Sequence, residues 1–155
     1  MNILGLDPAA ACGFAVSREV FGVWQIVHTT DKHPGRRLER LRKRIYETHR
    51  EYRLDAIAME NAAMGSNNFN TAAMHNELRG VVKLTAAELE LPVILVNPTT
   101  LKKWLTGHGR AKKPDMIDAV RRQFGLAVTD HNIADAIAVM EFARSQFSNQ
   151  EVRCG

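Results

Sequence analysis

Much of what assigns a chain to a compartment or a chemistry is missing from this one. Its two cysteines, Cys12 and Cys154, lie in an apolar stretch and near the C-terminus, with neither a disulfide framework nor metal-binding spacing. A reducing compartment is the expectation. No apolar run approaches the ~20 residues needed to span a bilayer. The chain passes from Met1 straight into Ile3-Leu4-Gly5-Leu6 with no signal-peptide pattern. A soluble, cytoplasmic protein with no membrane partner is expected. A Gly-rich phosphate loop, a serine nucleophile elbow and a Cys-His pairing are also absent, which removes the commonest nucleotide-binding and nucleophilic signatures. No internal repeat or low-complexity linker divides the 155 residues. They are assigned to one domain over residues 1–147, followed by a flexible tail over 148–155.

What is present is an ordinary globular composition, 45% hydrophobic and 25% charged, with a basic balance. Twenty-one Lys and Arg against seventeen Asp and Glu give a formal net charge of +4, which modestly favours a polyanionic partner. Residues 2–6, 13–17 and 21–29 read as three short strands with short connections, an antiparallel meander. Residues 36–52 read as an amphipathic helix with Leu38, Leu41, Ile45 and Tyr52 on one stripe. Its Arg37, Arg40, Lys43, Arg44 and Arg50 are taken as a solvated basic face. A strand over 55–60, a helix over 71–89 and a strand over 92–96 predict parallel pairing through a crossover. Helices over 99–105, 114–124 and 131–147 complete the pattern. The fold class is α/β: a five-stranded mixed sheet, three strands antiparallel and then two parallel, with helices on both faces.

Three acids fall where apolar elements end or where no acid is expected. Asp7 closes Ile3-Leu4-Gly5-Leu6, and Glu60 closes Ile57-Ala58-Met59. Asp135 lies inside Ile133-Ala134-Asp135-Ala136-Ile137-Ala138-Val139-Met140, the most apolar helix of the chain. A carboxylate there needs a basic partner or a metal ion to offset the loss of hydration. The three can converge where the first and fourth strands lie side by side under the last helix. Hard divalent cations take carboxylate and water oxygens. Two such ions can activate water and stabilise the leaving oxygen of a phosphodiester.

Leu4-Gly5-Leu6-Asp7-Pro8-Ala9 with Cys12-Gly13-Phe14-Ala15-Val16 resembles the opening of RuvC-type Holliday junction resolvases. The strand-terminal Glu60, the pair Arg79-Gly80, and Asn97-Pro98-Thr99-Thr100-Leu101-Lys102-Lys103 resemble later parts of that family. So do Gly107-His108-Gly109-Arg110-Ala111-Lys112-Lys113 and Asn132-Ile133-Ala134-Asp135-Ala136. The form of the last motif and the short chain resemble the phage-type branch, which implies a bacterial or phage-encoded protein. The resemblance implies a ribonuclease H-like fold, a homodimer, and Mg2+ or Mn2+ with two ions per active site. It also implies paired nicks across four-way DNA junctions in recombination and repair. Asp7, Glu60 and Asp135 are then the catalytic and metal-binding acids. The family's fourth ligand, an acid or a histidine, falls at Asn132, a departure. An amide oxygen can bind metal but carries no charge. Asn132, His131 and Asp130, in that order, stay open for this position, Asp130 being read more simply as the helix N-cap.

Lys102 and Lys113 fall where the resolvases place lysines near the scissile phosphate, with Lys103, Arg110 and Lys112 beside them as further DNA contacts. Gly107 and Gly109 are read as letting this loop approach a phosphate backbone closely. The family's junction-probing wedge falls at Ala63 and Met64. Phe69, the only aromatic of that loop, is either a DNA wedge or, with Asn70 as N-cap and Met74, a hydrophobic staple. Forks, flaps and three-way junctions are therefore substrates to weigh beside the four-way junction. The rival readings are a non-catalytic branched-DNA-binding module and a YqgF-like RNA-processing nuclease.

Overall fold

The structure, a computed structural model, describes residues 1–61 and 69–153, with side chains as far as residue 148. Its elements run β1 (Ile3–Asp7), β2 (Ala11–Ala15), β3 (Phe21–Gln25), α1 (Arg36–Tyr52), β4 (Ala56–Glu60), α2 (Phe69–Glu88), β5 (Val93–Val96), α3 (Pro98–Thr106), α4 (Lys113–Phe124) and α5 (His131–Arg153). The sheet order is β3-β2-β1-β4-β5. β1 pairs antiparallel with β2, and β2 with β3. β1 with β4 and β4 with β5 are parallel. This is the five-stranded mixed sheet anticipated from the strand pattern.

Strand parity decides what each face of the sheet carries. Side chains alternate along a strand, so Ile3, Gly5 and Asp7 share one face of β1 while Leu4 and Leu6 share the other. The parallel register sets Ile3 beside Ala56 and Gly5 beside Ala58, which places Glu60 on the same face as Asp7. Leu4, Leu6, Ile57 and Met59 meet Leu41 and Ile45 of α1 and Leu78, Val82 and Ala86 of α2 in one core layer. Ile3, Ala15, Ala56 and Ala58 meet α5, with Leu101, Leu105, Met116 and Val120 of α3 and α4, in the other. Helices therefore cover both faces.

The face under α5 is lined by small residues because that helix lies almost on the strands. A Cβ on Gly5 would overlap the main-chain oxygen of Ala136 and stand 2.7 Å from Met140 Cβ. One on Gly13 would overlap the carbonyl of Asn132. Away from this contact, Arg18 clamps Glu141 at 2.7 Å, and Arg144 donates to the Val16 carbonyl at 2.7 Å. The β2–β3 turn is thereby fastened to α5.

Several boundaries differ from the sequence pattern. β3 stops at Gln25 instead of running to residue 29, because the N–H groups of Ile26 and Val27 both turn to the Ala10 carbonyl. β2 begins at Ala11 and ends at Ala15, since Val16 and Ser17 donate to Val20 in the turn. α2 already includes Phe69, so Asn70 lies within the helix and is not its N-cap. Phe69 is 85% exposed, and the staple that would have buried it against Met74 is not formed. α5 continues as helix to Arg153, beyond residue 147 where the apolar pattern placed its end. The basic face of α1 is largely spent on acids. Arg36 pairs with Glu39, Arg37 with Glu77, Arg40 with Asp31, Arg42 with Glu88 and Arg44 with Glu47. No helix among the described residues is long and apolar enough to cross a membrane.

Candidate active site

Asp7 and Glu60 are the last residues of two neighbouring parallel strands, and parity turns both toward α5. On α5, Asn132 sits over Gly13, the β2 partner of Asp7, and Ala136 sits over Gly5 two residues back along β1. Asp135 lies between these two contacts in the helix, so the close packing that demands the glycines also brings the third acid to the strand ends. The apolar helix tolerates a carboxylate there because it lies on the open end of the layer. Asp7, Glu60 and Asp135 are each partly exposed, while their α5 neighbours Ala134, Ala136 and Ile137 are fully buried.

The three carboxyls act on one another. Loss of hydration, and then the neighbouring Glu60, push Asp7 up to about 6. Asp135 is pushed up to about 7 by the same loss and by Asp7 and Glu60. Burial raises Glu60 as well, against the pull of Lys102 and Arg79. Among the described residues no Lys or Arg stands within ion-pair distance of any of the three; the ion pairs lie elsewhere. Among the described residues, no three His, Cys, Asp or Glu side chains close tightly enough to enclose one ion. The acids are within electrostatic reach of one another and form an open rim. This donor set, hard oxygens with negative charge in excess, fits a hard divalent cation better than any protein cation present.

Cations surround the rim at a distance. Lys102, in α3, favours ionisation of Glu60 and Asp135, and Lys113, the first residue of α4, that of Asp7 and Asp135. Lys103, Arg110 and Lys112 are exposed on the same segment and bear on none of the acids. The loop that carries them is shaped by its own hydrogen bonds. His108 Nδ1 accepts from Arg110 N at 3.1 Å, Thr106 Oγ1 from His108 N at 3.1 Å, and Asp115 Oδ2 from Lys112 N at 2.8 Å. Gly107 closes α3 at φ 81°, and a Cβ on Gly109 would stand 2.9 Å from Thr99 Cγ2. Gly107 is thus required by the backbone of the loop itself, and Gly109 packs closely on Thr99.

The three residues open for the fourth position differ in their surroundings. Asp130 Oδ1 accepts from Asn132 N at 2.8 Å and Ile133 N at 3.3 Å, so this carboxylate caps α5. His131 lies close enough to Asp7 to favour its ionised form. The main-chain carbonyl of Asn132 makes the close contact with Gly13.

Two residues at the rim stood outside the set of site residues read from the sequence. Arg79 Nε donates to the Glu60 carbonyl at 3.3 Å, and its charge reaches Asp7 and Glu60. His75 is half-buried, with Arg79 and Lys113 both within electrostatic reach. Their i, i+4 spacing was the available signal. Ala63 and Met64 lie outside the described residues.

Comparison with known proteins gives a consistent result. The family model "Crossover junction endodeoxyribonuclease RuvC" matches residues 3–141. A relative of that name from Corynebacterium glutamicum is 33% identical, over 98% of this chain and 77% of its own. One from a Synechococcus strain is 32% identical, over 90% of this chain and 95% of its own. Among solved structures, Thermus thermophilus RuvC in complex with a Holliday junction substrate superposes with a TM-score of 0.74 at 26% identity, covering 90% of each chain.

Proposed function

We propose, for a chain that belongs to the RuvC family of crossover junction endodeoxyribonucleases, that it resolves four-way DNA junctions by hydrolysing phosphodiesters at the rim formed by Asp7, Glu60 and Asp135. The observation that carries this is the convergence itself. Two parallel strand ends and one helix bring three carboxyls together with no ion-pair partner, on a rim ringed by Arg79, Lys102 and Lys113.

The acids would hold Mg2+ or Mn2+, two ions per site, with His131 ahead of Asn132 for the fourth position because of its reach to Asp7. Such ions supply an acidified water and neutralise charge on the leaving oxygen. The chain's own residues do the rest. Lys102 and Lys113 draw the scissile phosphate to the rim and offset its charge, and Arg79 fixes the end of β4 through the Glu60 carbonyl. Lys103, Arg110 and Lys112 extend the positive surface along the DNA backbone. Phe69, exposed at the start of α2, would stack on an opened base.

Paired nicks need two sites, and the outer face of α2 supports a homodimer. Gly80 is exposed in mid-helix with no atom within 4 Å of where a Cβ would stand. A glycine there costs about 1 kcal/mol relative to alanine. Nothing inside the protomer requires it, and Leu84, one turn on, is 56% exposed. A close-packed second copy accounts for both.

The test is a nicking assay with Mg2+ on four-way, three-way, flap and linear DNA of matched sequence. Symmetrical nicks confined to the four-way junction, or strongest there, are expected. Equal cutting of linear DNA contradicts junction resolution, and binding without cutting favours a non-catalytic module.

A further inference from the structure

The nuclease reading leaves His75 unused. It lies one turn before Arg79 on the same face of α2, on the flank of the buried stripe of Leu78, Val82 and Ala86. Arg79 is tied to the end of β4 through the Glu60 carbonyl, which fixes this flank against the rim of the site. Lys113 approaches from the start of α4 and reaches Asp7 and Asp135 as well as His75. Two elements thus set a guanidinium, one turn away on the same helix, and an ammonium within electrostatic reach of the imidazole. The groups acting on the imidazole are Arg79 from its own helix and Lys113 from α4, with no carboxylate among them.

None of the three forms an ion pair among the described residues, whereas Arg37, Arg40 and Arg42 of α1 each hold an acid. Burial and the two cations keep the ring below its ordinary pKa, so at neutral pH it presents an N–H donor without a charge. Arg79 and Lys113 bear on the acids, whereas no acid bears on His75, one helical turn before Arg79. An anion held here is therefore displaced from one held over the acids.

We infer that His75 and Arg79 hold a phosphate of the cleaved strand next to the scissile one that Lys113 draws in, with the imidazole donating a hydrogen bond to it. This rests on the nuclease reading above. The contact fixes the strand's position along the rim, and it is sequence-independent because only backbone oxygens are used. An arriving phosphate also supplies the missing anion, so the ring gains a proton more readily in the complex than in the free protein.

The test is junction binding in EDTA by the full chain, comparing wild type with His75→Ala and His75→Gln across salt at pH 6 and pH 8. Loss of a hydrogen bond to a charged oxygen weakens binding about tenfold in His75→Ala. His75→Gln keeps an N–H donor and stays within about threefold of wild type at pH 8. At pH 6 the wild-type salt slope steepens by up to about 0.9, one further phosphate contact, and His75→Gln does not steepen. In single-turnover cleavage with Mg2+, half-saturation shifts more than the saturating rate. Equal affinity of wild type and His75→Ala, or a pH response kept in His75→Gln, overturns the inference and leaves the nuclease reading standing. If wild type binds no branched DNA, the nuclease reading itself fails and this one with it. Should His75→Ala fold poorly by thermal melt, the pH response of His75→Gln decides alone.

Discussion

At the residue scale the central question is what Asp135 contributes. Its carboxyl is pushed up to about 7, and that of Asp7 to about 6, from an ordinary value of 3.8, chiefly by loss of hydration and then by the neighbouring acids. Between about pH 4 and pH 7 the folded chain therefore holds protons that the unfolded chain releases. The stability these groups contribute is full below the unfolded value and is lost as pH rises through 6 to 7. Metal-free protein should show a Tm that falls from pH 5 to pH 8. Asp135→Asn should raise Tm at pH 8 by roughly 3–6 °C, the equivalent of removing about 1–2 kcal/mol of strain, and flatten the profile. Mg2+ should stabilise wild type more than the variant. The same substitution should abolish cleavage while leaving junction affinity within about threefold. A drop in metal-free Tm would show instead that Asp135 is a structural residue with a native partner. The sequence exposed this residue because a charge amid Ile133, Ala134, Ala136 and Ile137 breaks the apolar pattern. His75 and Arg79 left no such trace: each is an ordinary polar residue on a helix, and only the packing of α2 beside the end of β4 gives them a place.

At the scale of elements, the contact of α5 with β1 and β2 decides where the third acid lies. Gly5 and Gly13 are there because the helix backbone occupies the space their Cβ atoms would need. Gly13→Ala must push the first turn of α5 off the sheet, at a cost of about 1–3 kcal/mol. Since that turn carries His131 and Asn132 and leads directly into Asp135, cleavage should fall further than the lost stability explains. Thermal melts and cleavage rates of Gly13→Ala beside Gly80→Ala make the comparison. Gly80 has open space within the protomer, and its substitution should leave Tm unchanged or higher at concentrations where the chain is monomeric. Element order and strand direction were legible from apolar periodicity, since the β4–α2–β5 order admits few pairings. The ends of β2, β3 and α2 were not. They are set by which carbonyl a few N–H groups reach, such as Ala10 for Ile26 and Val27, and no periodicity records that choice. Asp130 is the exception, a cap read from residue type and borne out by its two hydrogen bonds.

For the whole molecule, the distribution of unpaired charge separates the face proposed to meet DNA from the one whose charges are spent on acids. α1 carries many basic residues yet most are neutralised by acids, while Lys102, Lys103, Arg110, Lys112 and Lys113 form no ion pairs among the described residues. Net charge alone could not have shown this, because it counts both sets equally. Assembly is tested on the same scale: Leu84→Arg should convert a dimer to a monomer in analytical ultracentrifugation, with paired nicks giving way to single ones. A wild-type chain that sediments as a monomer at tens of micromolar contradicts the α2 interface. The most direct measurement of the account is cleavage of a synthetic four-way junction with Mg2+ by wild type and by Asp7→Asn, with binding followed in parallel. The account predicts nicks from wild type only, their complete loss in EDTA, and junction binding by both proteins. Cleavage retained by Asp7→Asn, or none by a wild type that binds the junction, would contradict it.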